Sequence, residues 1–335
     1  MVSEMDLRTN AAQLDGWVPI QVKWQQSRPL VEWCYAGARP LNEPFFDQAI
    51  QTLMQQPFNL LFRHQTSIET LAELYEIKPG LQPTGFIFHM SRCGSTLVSQ
   101  MLAALPRTIV VSEASPIDAI LRAHFRVPGL TDDGRIDWLR WVVSALGQQR
   151  LGDEKHFFIK LDCWNTLILP LIHRAFPNVP WIFLYRNPVE VMVSQLRRRG
   201  AHMVPGVIEP SLFGMEDHAI FQMQAEEYSA RALAKVCEAA LEYQEGGMLV
   251  NYTQLPEAMW DLIPKFFGIE YSQSDIKILN RVSRLDAKNP SLHFTNDTDA
   301  KNRSATDVMH SMADEWIVPI YERLEAARKA CRIVS

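Results

Sequence analysis

The chain has 335 residues, 47% of them hydrophobic and 21% charged, enough for one large globular domain with or without an appendage. Its formal net charge of -5 and the lack of any long Lys or Arg run exclude an electrostatic footprint for nucleic acid, while a few convergent cations remain able to hold a small anion. The five cysteines, Cys34, Cys93, Cys163, Cys237 and Cys331, have neither metal-ligand spacing nor a disulfide rhythm, which fits a reducing cytoplasm. The polar first 17 residues lack the apolar core of a signal peptide, and no stretch is apolar for long enough to cross a bilayer.

Residues 1–83, rich in Gln, Trp and Phe, carry helical patterns at 45–61 and 67–75 and read as a mostly helical N-terminal extension on a main domain spanning 84–335. From Thr84 onward short apolar runs alternate with longer amphipathic ones, the pattern of an α/β fold with a parallel sheet and crossover helices. The runs at 85–90, 108–112, 157–162, 181–185 and 248–252 are nearly continuous in apolar residues, as strands covered on both faces require. After the first of them, Leu97, Val98, Met101, Leu102 and Leu105 make one face of a helix that begins near Ser95. Ser115-Pro116-Ile117-Asp118 supplies an N-cap, a proline at the first helical position and an acid in the first turn, and Asn187-Pro188-Val189-Glu190 repeats that signal. Further helices are expected at 216–243, 255–267 and 306–331, and the Gly- and Pro-bearing stretch 199–218 reads as a lid or acceptor-binding loop.

The strongest local signal is His89-Met90-Ser91-Arg92-Cys93-Gly94-Ser95-Thr96, between the first of these strands and its helix. A helix N-terminus there offers free N–H groups to an anion, Gly94 allows close approach, Ser95 and Thr96 add hydroxyls, and Arg92 adds a cation. A tight turn capped by Ser or Thr explains the same residues equally well. Three familiar phosphate loops fail on spacing. A Walker A loop needs Lys where Ser95 stands, a dinucleotide loop needs Gly-x-Gly-x-x-Gly, and a cysteine phosphatase needs Arg where Ser99 stands.

Arg92-Cys93-Gly94-Ser95-Thr96 resembles the 5′-phosphosulfate loop of the sulfotransferase family, with Cys93 in place of the usual Ser. A second signature of that family, an Arg ending a later strand and a Ser eight residues on, is matched by Arg186 and Ser194. Val189, Met192, Val193 and Leu196 are the expected buried stripe of the intervening helix, which leaves Ser194 on the polar side. The approach Phe176-Pro177-Asn178-Val179-Pro180-Trp181 and the Tyr252 to Leu255 pattern also resemble the family, in pieces from Thr84 to about Phe267.

The resemblance implies a three-layer parallel sheet of P-loop NTPase-like topology and an enzyme that uses 3′-phosphoadenosine 5′-phosphosulfate. It implies that Arg92, Cys93, Gly94, Ser95 and Thr96 hold the 5′-phosphosulfate, that Arg186 and Ser194 hold the 3′-phosphate, and that Tyr252 lies near the nucleotide. Glu113, just past the second strand, stands where some members carry a catalytic Glu, and a carboxylate there suits a general base. A helix-dipole or ion-pair role is its alternative. His89 and His124 are weaker bases. Lys160 resembles a Lys that would join Arg92 in stabilising the sulfuryl oxygens, or else is a strand-end lysine in water. Lys301, Asn302 and Arg303 lie where many members place a basic nucleotide loop. No metal is required, the expected acceptor is a small-molecule, carbohydrate or peptide hydroxyl, and a homodimer is allowed. A P-loop kinase with Asp162 as a magnesium ligand and a non-catalytic nucleotide-binding protein are the rival readings.

Overall fold

The computed structural model of the chain describes residues 11–295 and 298–331. It opens with an antiparallel hairpin, β1 (Trp17–Gln25) and β2 (Arg28–Tyr35), turned by Gln26 and Ser27 at φ of 48° and 68°. Such a two-residue loop matches the strand twist when both residues are left-handed. Then come α1 (Phe46–Met54), α2 (Pro57–Leu61), β3 (His64–Ser67), which pairs with β2, and α3 (Glu69–Ile77). The helices coincide with the expected patterns. The three-stranded sheet beside them is an addition to the sequence reading, because Pro19 and Pro29 argue against strands. Both are accommodated. Pro19 lies on edge strand β1 at a register shift, and Pro29 precedes the Leu30 to Trp33 stretch that pairs with β3.

The main sheet and its helices follow in chain order as β4 (Gly85–His89), α4 (Ser95–Ala103), β5 (Thr108–Ser112), α5 (Ser115–Leu121), α6 (Asp132–Leu146), β6 (His156–Lys160), α7 (Leu169–Ala175), β7 (Trp181–Tyr185), α8 (Pro188–Arg197), α9 (Ala225–Glu242) and β8 (Gly247–Asn251). The five strands make one parallel sheet in the order β5-β6-β4-β7-β8. All residues of β4 and β7 are buried, which is why both read as unbroken apolar runs. The chain ends with α10 (Leu262–Phe267), α11 (Gln273–Val282), the short pair β9 (Leu285–Asp286) and β10 (Asn289–His293), then α12 (Thr298–Ser304), α13 (Asp307–Trp316) and α14 (Val318–Cys331).

The chain falls into two compact units. The first comprises residues up to 86 with 99–162 and 171–179. In it α3 and α5 pack on α6, and α5 also packs on β1. The second comprises 87–98, 163–170 and everything from 180 onward, with α9 packed against α8, α13 and α14, and α12 against α8. The thiols of Cys34, Cys93, Cys163 and Cys237 are all buried and unbridged.

Several expected boundaries are corrected. The 216–243 helix begins at Ala225, with extended Gln224 as its cap, and only 262–267 of the 255–267 pattern is α-helical. The 306–331 pattern is two helices, because Pro319 lacks an N–H and cannot continue a helix from α13. Ala114 takes the cap position of α5, and the Ser115 hydroxyl instead donates to the Ile20 carbonyl at 3.1 Å.

Ile159 sits mid-strand in β6 with none of its surface exposed. Ile159→Ala is expected to cost about 2–5 kcal/mol through lost burial and the cavity left behind, read as a lower urea midpoint at unchanged slope.

Candidate functional site

The loop from β4 into α4 is built on unusual backbone. Ser91, Arg92 and Gly94 have φ of 70°, 52° and 88°, a left-handed conformation that residues with a Cβ rarely adopt. Neighbouring elements hold it there. Met90 N–H donates to the Leu184 carbonyl at 3.0 Å, Cys93 Sγ donates to the same oxygen at 3.1 Å, and Gln195 Nε2 donates to Ser91 Oγ at 2.8 Å. His89 is consumed by the loop as well, its Nδ1 accepting from Ser91 N–H at 3.0 Å. The Gly94 carbonyl accepts the first helical bond of α4, from Val98 N–H, so the opening N–H groups of the helix point towards the turn. Ser95 and Thr96 are buried. The Cys93 thiol faces β7, so Cys93 can meet a ligand only through its backbone. The Arg92 guanidinium donates to the carbonyl of Arg198, just past α8.

Arg186 follows β7 and is 4% exposed. Its Nε donates to Glu190 Oε2 at 2.9 Å, a second nitrogen reaches the same oxygen and also donates to Thr298 Oγ1 at 3.1 Å, and its Cζ lies over the Tyr252 ring, 3.9 Å from the ring centre. Asn187 fixes the start of α8 as expected, its Oδ1 accepting from Val189 and Glu190 N–H at 3.0 and 3.3 Å. A Cβ on Gly94 would lie 2.9 Å from the same tyrosine ring and 2.8 Å from Leu255. One aromatic side chain therefore touches both the β4–α4 loop and Arg186, and only glycine leaves room for it.

The buried residues of α8 are Pro188, Val191, Met192, Val193 and Gln195, so the expected stripe is corrected: Val191 and Gln195 are inside, and Val189 and Leu196 are half-buried. Gln195 is tolerated there because Ser91, His202 and Gly200 N–H satisfy its amide. Ser194 is half-buried and lies one turn from Glu190 on the same helix face. In α12, Lys301 is buried and Arg303 exposed.

The other unit holds Glu113 and Lys160. Glu113 follows β5 at φ 57°, held by its N–H, which donates to the Lys160 carbonyl at 2.7 Å. The Lys160 ammonium, 1% exposed, is ion-paired with Glu113 Oε1 and lies 5.1 Å from the Phe45 ring centre. The reading of Lys160 as a strand-end lysine in water is thereby corrected. Glu113 keeps a quarter of its side chain open to solvent, at 23%. Burial, with the charges of Glu113, Asp118 and Asp47 adding to it, pushes the Asp162 carboxyl well above the ordinary range. Burial also raises Asp47, against a hydrogen bond from Ser115. His124 Nδ1 is 2.7 Å from an Arg135 guanidinium nitrogen, with its ring against Phe125.

A family model described as the sulfotransferase family matches residues 83–273, more than half of the sequence. The chain belongs to the sulfotransferase family. Among solved structures, it is similar to the sulfotransferase domain of the Synechococcus PCC 7002 olefin synthase, at 15% identity over 75% of this chain and 96% of that one, with a TM-score of 0.42. A sulfotransferase from Alicyclobacillus acidocaldarius matches at 14% identity over 74% of this chain and 96% of the other, TM-score 0.40. Retinol dehydratase in complex with retinol and PAP matches at 15% identity over 76% and 85%, TM-score 0.34. No curated protein matches the sequence. The family assignment rests on the family model, and the fold on the sheet itself. Among the described residues no helix is long and apolar enough to cross a membrane, and no group of three or more His, Cys, Asp and Glu is placed to hold a metal ion.

Sequence reasoning missed Glu190, Thr298 and the Gln195 network of this sulfotransferase-family chain. The spacing of Arg186 and Glu190, one helical turn, was a usable signal for the first. Nothing local marks Thr298.

The raised Asp162 carboxyl sets a sign for pH dependence. The native state keeps a proton that the unfolded chain releases near the ordinary aspartate value of about 3.9, so this group's contribution to stability is complete below that value and is lost as pH rises towards the folded one. Asp162→Asn is therefore expected to flatten a fall in the urea midpoint between acidic and neutral pH. An unchanged slope would show that the group titrates normally.

Proposed function

We propose that this protein transfers a sulfuryl group from 3′-phosphoadenosine 5′-phosphosulfate to an acceptor hydroxyl. The observation that carries the reading is the Tyr252 ring, in reach of Gly94 on one side and of the Arg186 guanidinium on the other. It supports one anionic ligand long enough to engage both the loop and Arg186.

In this reading the N–H groups opening α4, with Arg92, hold the 5′-phosphosulfate, and Arg92 exchanges the Arg198 carbonyl for the ligand. Arg186 and Ser194 hold the 3′-phosphate, with Glu190 and Thr298 fixing the guanidinium and Tyr252 flanking the nucleotide. Glu113 takes the proton of the attacking hydroxyl. The new oxygen–sulfur bond forms in line with the bond to the bridging oxygen, which breaks and leaves 3′,5′-bisphosphoadenosine. Arg92 and Lys160 offset the charge that gathers on the bridging and sulfuryl oxygens. Arg92, Arg186 and Tyr252 follow strands β4, β7 and β8 of the parallel sheet, at the carboxyl ends where ligands of such folds bind. The acceptor is a small-molecule, carbohydrate or peptide hydroxyl.

Thermal shift tests donor recognition. With no metal added, 3′,5′-bisphosphoadenosine at a hundred times its Kd is expected to stabilise the fold by about 2.7 kcal/mol, and Ser194→Ala to weaken its binding about tenfold. A larger shift with magnesium-ATP would favour a kinase and overturn the reading.

Transfer of labelled sulfate to acceptors of several classes tests the chemistry. Glu113→Ala is expected to lose about 10²- to 10⁴-fold in turnover while still binding bisphosphoadenosine. Unimpaired turnover would remove Glu113 as the base, and no transfer to any acceptor class would favour a non-catalytic protein.

A further inference from the structure

A cleft of about 500 Å³ opens at the amino-terminal ends of β7 and β8, between α10 and α14. Its walls are mostly apolar, with Trp181, Leu249, Leu262 and Phe266 among the lining residues. Trp181 is a fixed wall: it is 2% exposed and its indole N–H donates to the Glu245 carbonyl at 2.9 Å. Gly247 keeps that wall in place, since a Cβ there would lie 2.2 Å from the indole.

Two polar groups at this cleft are unspent. Gln254 accepts from Asn251 N–H through Oε1 at 2.9 Å, but its Nε2 amide is buried with no hydrogen-bond partner among the described residues. A buried donor left so is unfavourable, and a ligand oxygen would relieve it. Lys265 is exposed on α10 and has no ion-pair partner among the described residues. The other cation at the cleft, Arg328, is already neutralised by Glu325 at 2.7 Å and donates to the Tyr185 hydroxyl at 3.1 Å. The volume lies within the range of small-molecule sites, and apolar walls with a few placed polar groups are their usual make-up.

We propose that this cleft binds an amphiphilic monoanion, its aliphatic chain against Trp181, Leu262 and Phe266 and its acidic head between the Gln254 amide and the Lys265 ammonium. This site is separate from the donor site proposed above. Trp181 opens β7 and Arg186 follows its far end, five residues on and about 16 Å away at 3.3 Å per residue. The inference does not depend on the sulfuryl-transfer reading.

Titration calorimetry of the full chain with decanoate, and with decanol as the uncharged control, tests it. Saturable one-to-one binding of decanoate is expected, at least fivefold tighter than decanol and unaffected by saturating 3′,5′-bisphosphoadenosine. Lys265→Gln, at an exposed position that leaves the fold undisturbed, should weaken decanoate about fivefold to tenfold and leave decanol unchanged. The proposal is overturned by failure of decanoate to bind, by equal affinity for decanol, by an unaltered Lys265→Gln titration, or by displacement with bisphosphoadenosine.

Discussion

A guanidinium almost wholly removed from water organises the second unit. Arg186 stands at the end of a strand whose every residue is buried, and its charge is met by Glu190, Thr298 and the Tyr252 face. Desolvating two such ions costs several kcal/mol each, and a well-packed apolar pair would often serve stability as well or better. Stability alone therefore gives a poor reason for the arrangement. The pair, the Asn187 cap and the tyrosine contact leave the guanidinium little freedom, which suits the ligand-holding role proposed for it.

The loop itself pays for its shape in backbone conformation. Two side-chain-bearing residues, Ser91 and Arg92, are left-handed, and the surrounding bonds to Leu184 and Gln195 keep them so. The first unit has a parallel case in Glu113, whose left-handed backbone is fixed by the Lys160 carbonyl while its carboxylate meets the Lys160 ammonium. Strain of this kind persists only where neighbours over-determine it, and it gathers at sites that act on ligands. Close to that pair, burial and the charges of Glu113, Asp118 and Asp47 raise the Asp162 carboxyl well above its ordinary range.

The fold was legible wherever periodicity was unmixed. All five sheet strands were readable as apolar runs, most clearly β4 and β7, where burial on both faces removes every polar alternation, and Asn187-Pro188 named the start of α8 through cap chemistry alone. The N-terminal sheet was not readable, since its prolines forbid strands in general and are allowed here by an edge, a register shift and the short reach of β3. The residues of the candidate site were visible as motifs, but their environment was not. Sequence left Lys160 between a sulfuryl-stabilising cation and a solvated strand-end lysine, and its enclosure by Phe45 and Glu113 was hidden because both lie far from it along the chain. Val189 and Leu196 looked like core, and Gln195 took that place because partners from three separate segments satisfy its amide.

The four described thiols share a property with practical reach. Cys34 and Cys237 are pushed up by burial, to about 11 and beyond the range of ordinary thiols respectively, and Cys93 and Cys163 are likewise shut away from solvent. Alkylating reagents need a thiolate they can touch. Modification of these sulfurs is thus gated by transient opening of the folded chain, with Cys34 sampling one unit and the other three the second. Native cysteines in this way make each unit its own clock for local unfolding.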